Sequence, residues 1–200
     1  MSSTVLYMSM SLDGFIAGPN EGPDNALGDG GERLHEWAFH GTGDHPKHTV
    51  GGSRDVNSQI VDEFMSTGAV IAGRGTFEPA DGWGGDHHDG VPIYILSRNP
   101  APSWAAGWPA LHYMSDLEAV VRDAKHAAGE KNVLVHGAGI TQRALAAGLL
   151  DELEIHLVPI LMGGGRRLFE HLGIQQRQLE RTRVLEGEGG VTHLRYRVRR

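Results

Sequence analysis

Val133-Leu134-Val135-His136-Gly137-Ala138-Gly139 opens the stretch that decides the fold. A short apolar, β-branched run flows into a glycine turn. A helix-period segment follows at about residues 141–147 and is closed by Gly148. Residues 152–158 then alternate as a strand does. Strand, helix and strand in that order form a βαβ unit, whose two strands run parallel.

The pattern extends both ways. Residues 5–10 read as a first strand ended by Asp13-Gly14, followed by a turn at Ala17-Gly18-Pro19-Asn20. Asp55 is placed to cap a helix reaching Ser66, with Val56, Ile60, Val61, Phe64 and Met65 on one face. Strands are expected at 69–72, 91–96 and 111–114, and a helix at 117–128 starts from Ser115 or Asp116. Beyond the βαβ unit, Gly163-Gly164-Gly165 breaks the chain before a short helical turn at 167–171. Residues 178–186 and 191–199 alternate across Gly187-Glu188-Gly189-Gly190, a hairpin signal. The expected class is an α/β sandwich with a mostly parallel sheet, helices flanking it, and an antiparallel C-terminal hairpin at its edge. No repeat or composition shift divides residues 1–200, so a single domain is expected. Residues 20–54, rich in Gly, Asp, Asn and His, read as a long loop or lid with at most one short helix near 32–39.

Composition narrows the function. The 200 residues contain 29 glycines, about twice the roughly 7% of an average chain, with no collagen period. The net charge of −7 gives no basic coat for nucleic acid. The absence of cysteine excludes disulfides, thiolate metal sites and a cysteine nucleophile. No stretch approaches 18 apolar residues, and Met1-Ser2-Ser3-Thr4 has no signal-peptide character, so a cytoplasmic protein that does not bind membranes is expected.

Three strand ends finish in small or basic residues: Gly73-Arg74-Gly75-Thr76, Ser97-Arg98 and Gly137-Ala138-Gly139. In open α/β sheets ligands lie at the carboxyl ends of strands, where glycines admit a phosphate to backbone amides and a following helix adds positive potential. Gly137-Ala138-Gly139 suits a pyrophosphate without being the full Rossmann fingerprint. Arg74 and Arg98 suit a further phosphate. Together they favour a dinucleotide over ordinary turns.

Met8-Ser9-Met10-Ser11-Leu12-Asp13-Gly14-Phe15-Ile16-Ala17, Gly73-Arg74-Gly75-Thr76-Phe77-Glu78, Ile95-Leu96-Ser97-Arg98, Val135-His136-Gly137-Ala138-Gly139 and Pro159-Ile160-Leu161-Met162-Gly163-Gly164-Gly165 occur in that order along nearly the whole chain. They resemble the dihydrofolate-reductase-like proteins, including the reductase domain of the riboflavin-biosynthesis deaminase-reductase. The resemblance implies a three-layer sandwich with NADPH as hydride donor. By that analogy Gly73, Arg74, Thr76, Ser97 and Arg98 surround the 2′-phosphate end of the cofactor. Gly137, Ala138 and Gly139 face the pyrophosphate, and Ala17 and Gly18 line the nicotinamide side. Trp37, Phe64, Pro159 and Leu161 would lie near a small polar heterocycle of pterin, folate or aminouracil type, or a related carbonyl or imine. A homodimer is the family expectation. A nucleotide-binding protein without turnover is the alternative.

Several residues carry two readings. Asp13 is either a catalytic carboxylate beside the nicotinamide or a turn residue bonding its own backbone. The helix at 55–66 offers Asp62 and Glu63, and no motif fixes which of them, if either, faces the cleft. Glu78 reads as structural, satisfying buried backbone amides. His35, His40, His45, His48, His87 and His88 have irregular spacing and read as solvated loop residues, with no metal site. Trp83, Trp104 and Trp108 either cover the cofactor or a dimer contact, or simply pack under loops. Arg195, Arg197, Arg199 and Arg200 read as a solvated strand face and tail.

Overall fold

The computed structural model describes residues 2–39, 55–173 and 176–199. In chain order its elements are β1 (Thr4–Ser11), β2 (Phe15–Ala17), α1 (Glu36–Phe39), α2 (Val56–Met65), β3 (Ala69–Gly73), α3 (Arg74–Phe77), β4 (Ile93–Leu96), β5 (Leu111–Met114), α4 (Leu117–Ala128), β6 (Val133–His136), α5 (Ala138–Ala146), β7 (Glu152–Val158), β8 (Arg166–Arg167), β9 (Leu179–Glu186) and β10 (Thr192–Val198). The central strand β1 pairs in parallel with β6 on one side and β7 on the other. The eight-stranded order is β5-β4-β3-β6-β1-β7-β10-β9. Strands β5 to β7 in that order are all parallel; β10 runs antiparallel to β7 and β9 antiparallel to β10. The expected mixed sheet with its C-terminal hairpin is therefore present. Among the described residues no helix is long and apolar enough to cross a membrane.

Side-chain alternation sorts the core into two layers. Leu6, Met8, Ile71, Val133 and Val135 face Val120 and Ala124 of α4 and Ile140 and Ala144 of α5. Val5, Tyr7, Val70, Ala72, Ile93, Ile95 and Leu134 face the other way, against Phe64 of α2 and the loops carrying Trp83 and Trp108. The buried central strands are apolar on both faces because both faces are covered. Two carboxylates start the helices: Asp55 accepts the Ser58 amide at 2.7 Å, and Asp116, not Ser115, accepts the Ala119 amide at 2.7 Å.

The outer half of the α2 face is polar. Glu154, His156 and His193 are buried there, and Arg195 keeps only 13% of its side chain exposed. Glu63 of α2 points at the sheet; it accepts the Tyr7 hydroxyl at 3.1 Å and Arg183 at 2.7 Å, and it pairs with Arg195. Arg195 also bonds Glu152 at 2.6 Å, while Arg183 pairs with the fully buried Glu154 at 3.0 Å. Burial pushes the Glu154 carboxyl up, against the pull of both arginines. Charges removed from water need such partners. Arg195 is thus not part of a solvated face: β10 lies inside the sheet, and α2 covers it.

Two boundaries also differ from expectation. Helix α5 begins at Ala138, three residues early, because Gly137 takes the turn and leaves Ala138 and Gly139 free to be helical. Residues 166–167 are not a helical turn; they pair with β2, Phe15 opposite Arg167 and Ala17 opposite Arg166.

Candidate functional site

The register Ala72 opposite His136 brings the ends of β3 and β6 together. Gly137 there has φ of 103°, and a Cβ on it would collide with the Thr76 hydroxyl. The two turns therefore touch. Helix α5 starts immediately afterwards with no side-chain cap, so its first amides are free for an anion. A Cβ on Gly139 would meet nothing within 4 Å, so the space beside Gly139 is open. Thr141 secures the turn from within, donating its hydroxyl to the Gly137 carbonyl at 2.6 Å.

The neighbouring strand ends are held in different ways. Arg74 donates through Nε and Nη2 to Glu78 at 2.6 and 3.1 Å, so Glu78 serves the guanidinium rather than backbone amides. Phe77 is fully buried, ringed by Trp83, Trp104, Trp108 and Tyr113 at centroid distances of 5.6 to 6.3 Å. That packing anchors the Gly73–Thr76 turn and accounts for Trp83 and Trp108; Trp104 stacks on Phe77 but stays 47% exposed, so it is not buried under a loop. Ser97 exchanges hydrogen bonds with the Asn99 backbone, and Arg98 is exposed.

Asp13 sits at the end of β1. Its carboxylate accepts the Ser11 hydroxyl at 2.6 Å and the amides of Met162 and Gly163 at 3.1 and 2.8 Å. The Ser11 bond above all, with the two amides, holds its pKa down to about 2. Ala17 is buried, and a Cβ on Gly165 would collide with the Ala17 carbonyl, so Gly165 packs on the end of β2, while Gly163 and Gly164 have open space beside them.

The cofactor candidates Gly73, Arg74, Thr76, Gly137, Ala138 and Gly139 are thus brought together, with Ser97 and Arg98 one strand outward. Ala17 ends β2 on the β2–β8 ribbon, and Gly18 just beyond it donates its amide to the Leu27 carbonyl at 2.8 Å. The substrate candidates are not gathered. Trp37 packs tilted against His156 and edge-on against His193, with ring centroids 4.5 and 4.9 Å apart, and donates Nε1 to Ser9 at 2.9 Å. Phe64 packs against Tyr7 at 6.2 Å, beneath α2. Val158, Ile160 and Met162 turn inward to Leu34, while Pro159 and Leu161 turn outward, Leu161 being 73% exposed.

Sequence reasoning missed the histidines. His88 is buried, within 3.1 Å of both the Thr67 hydroxyl and carbonyl, and its Nδ1 lies 2.7 Å from that of His87. These two are not solvated loop residues. His87 and Trp83 flank His136, with ring centroids 6.1 and 6.2 Å away. Among the described residues the Nδ1 of His136 is buried without a hydrogen-bond partner. Burial brings His136 and His35 down to about 4, so both rings are neutral at pH 7. His40, His45 and His48 lie outside the described residues, as do residues 40–54 of the expected lid. No group of three or more His, Asp or Glu able to hold a metal occurs among the described residues. Arg166 and Arg167 were also missed; their one signal was adjacency to the triple glycine.

Solved structures share this fold. A proposed riboflavin biosynthesis protein from Shewanella sp. PV-4 superposes with a TM-score of 0.70 at 21% identity, over 99% of each chain. A pyrimidine reductase-like protein from Corynebacterium diphtheriae gives 0.62 at 12%, over 100% of this chain and 92% of that one. RibD from Acinetobacter baumannii gives 0.60 at 17%, over 100% of this chain but 59% of that one. No curated protein matches at a significant level. The resemblance read from the sequence motifs holds for fold and family. Residues 3–192 match the family model of the RibD C-terminal domain, and the chain belongs to that family.

Proposed function

We propose that the chain is an NADPH-dependent reductase that delivers hydride to a small polar heterocycle of pterin, folate or aminouracil type, or to a related carbonyl or imine. One observation carries the reading: the uncapped start of α5, open beside Gly139, meets the Gly73–Thr76 turn at the carboxyl edge of the sheet. The site has the free amides and the open approach that a pyrophosphate needs, so the residues fit a dinucleotide. Family membership and the relatives' association with riboflavin biosynthesis and pyrimidine reduction support the same class.

A bound nicotinamide cofactor supplies the hydride. In this reading the amides of Ala138 and Gly139 hold the pyrophosphate, and Arg98 with Arg74 holds the 2′-phosphate. Ala17 and Gly18 shape the nicotinamide side. Asp13, ionised at neutral pH, orders the 160–163 loop and orients substrate, while solvent provides the proton. Orientation supplies most of the rate.

The test is NADPH consumption, followed by absorbance, across a panel of pterins, aminouracils, carbonyls and imines. Turnover of a panel member supports the reductase. Tight NADPH binding with no consumption across the panel favours a nucleotide-binding protein without turnover.

A further inference from the structure

Arg166 links the β2–β8 ribbon to the Gly73–Thr76 turn. On the β2–β8 ribbon it stands opposite Ala17. Its guanidinium reaches the other way, Nη1 donating to the Gly75 carbonyl in the Gly73–Thr76 turn at 3.4 Å. Its Nε donates to Glu21 at 2.6 Å, and the side chain stays 39% exposed while Glu21 is only 15% exposed. The approach to Gly75 is close: a Cβ there would sit 2.9 Å from Nη1.

These contacts leave donors to spare. Guanidinium carries five N–H groups, and the bond to Gly75 is long for a hydrogen bond. We propose that Arg166 is an anion clamp for the pyrophosphate of the bound dinucleotide, gripping it between Ala17 and Gly75 while Glu21 holds the arginine in place. The proposal rests on the dinucleotide reading above. Ala17 is assigned to the nicotinamide side and the Gly75 turn to the adenosine side. The pyrophosphate joins those two halves, so it must cross the gap that Arg166 spans. Arginine matches phosphate with paired donors, and the clamp adds side-chain charge to the uncharged amides of α5.

The test is calorimetric titration of the wild type, Arg166→Gln, Arg166→Lys and Glu21→Gln with NADPH, NADH, ADP-ribose and reduced nicotinamide mononucleotide, with the melting temperature of each unliganded protein. The clamp expects Arg166→Gln to weaken NADPH, NADH and ADP-ribose alike, by about tenfold or more. It expects the NADPH-to-NADH ratio to be unchanged and the mononucleotide, which lacks the pyrophosphate, to be unaffected. Arg166→Lys falls between, and Glu21→Gln binds as well as wild type or better. Wild-type affinity in Arg166→Gln overturns the clamp. A loss confined to NADPH overturns it in favour of a 2′-phosphate contact. Equal losses of affinity and melting temperature in Arg166→Gln and Glu21→Gln overturn it in favour of a strut between the Glu21 loop and β3. A wild type that binds none of the four probes overturns the dinucleotide reading itself.

Discussion

The Asp13 carboxylate accepts the amide of Gly163 at 2.8 Å, fastening the end of the first strand to a loop 150 positions away. Met162 adds a second amide and Ser11 a hydroxyl. One side chain thereby sets the distance between the β1 end and the triple glycine, the two walls nearest the expected nicotinamide side.

Removing that carboxylate should loosen the loop. Asp13→Ala is expected to speed amide hydrogen exchange at Met162 and Gly163, while Asp13→Asn, which keeps an acceptor oxygen, lies between. The folded pKa, about 2, is below the unfolded value near 3.9. The clamp therefore stabilises fully above about pH 4, and its contribution is lost as the pH falls toward 2. Exchange measured on peptides spanning 160–165 decides it; equal protection in Asp13→Ala removes the clamp.

A second prediction follows from proton accounting at Asn57. Its Nδ2 donates to the carbonyls of Trp37 and Glu188 at 3.2 and 3.1 Å, so its Oδ1 accepts from His193 Nε2 at 3.0 Å. A neutral His193 then has a bare Nδ1, and His156 Nδ1 donates to it at 2.9 Å. Burial brings His193 down to about 4 with help from Arg183, and His156 well below its ordinary value. Between about pH 6.5 and 4 the unfolded chain binds protons that the folded chain refuses. Stability should fall as pH drops through that window, by up to about 1.4 kcal/mol per pH unit for each such histidine. Urea unfolding at pH 7, 6 and 5 should show the fall, and His193→Gln a shallower one. Stability independent of pH over that range would contradict this account.

The fold was largely legible because Val133–Val135, Gly137 and the alternation of 152–158 are local signals. The polar half was not. Alternation in β10 puts His193 and Arg195 on one face, but only pairing with Glu63, 132 positions earlier, shows that α2 covers that face. Glycine turns placed the cofactor candidates together, since a glycine's reason is its own backbone. Trp37, Phe64, Pro159 and Leu161 are scattered, since a side chain's direction depends on distant neighbours. Arg166 could not be singled out from Arg167 before β8 paired with β2.

The two glycines of the α5 turn should behave differently. Gly137→Ala places a Cβ against Thr76 at a positive φ, so it is expected to lower stability directly. Gly139→Val meets open space and should fold, yet its side chain intrudes where a pyrophosphate approaches. Loss of NADPH affinity in a Gly139→Val protein of normal melting temperature is the expected result. Retained affinity would reduce the turn to a structural one.

Cofactor choice should depend on Arg98 more than on Arg74, whose guanidinium is already held at two points by Glu78. Arg98→Ala is expected to weaken NADPH by roughly tenfold while leaving NADH unchanged. Titrations at fixed salt compare the two, and equal wild-type affinities for both cofactors would sink the 2′-phosphate assignment.

The last prediction concerns residues 31–39, the described stretch of the expected lid that carries Leu34 and Trp37. Leu34 is fully buried with Val158 and Val191, and Trp37 is bonded to Ser9 and packed on two histidines. Asn57 holds the Trp37 carbonyl from the first turn of α2. These contacts describe an anchor. Leu34→Ala should cost about 2–5 kcal/mol of stability, the range for a leucine removed from a packed core. Trp37→Phe, which keeps the ring and loses the Ser9 bond, should cost about 1 kcal/mol. Hydrogen exchange across 31–39 should be slow without ligand and unchanged by NADPH. A near-neutral Leu34→Ala, or protection over 31–39 gained only when NADPH is bound, would instead make this stretch part of a closing lid.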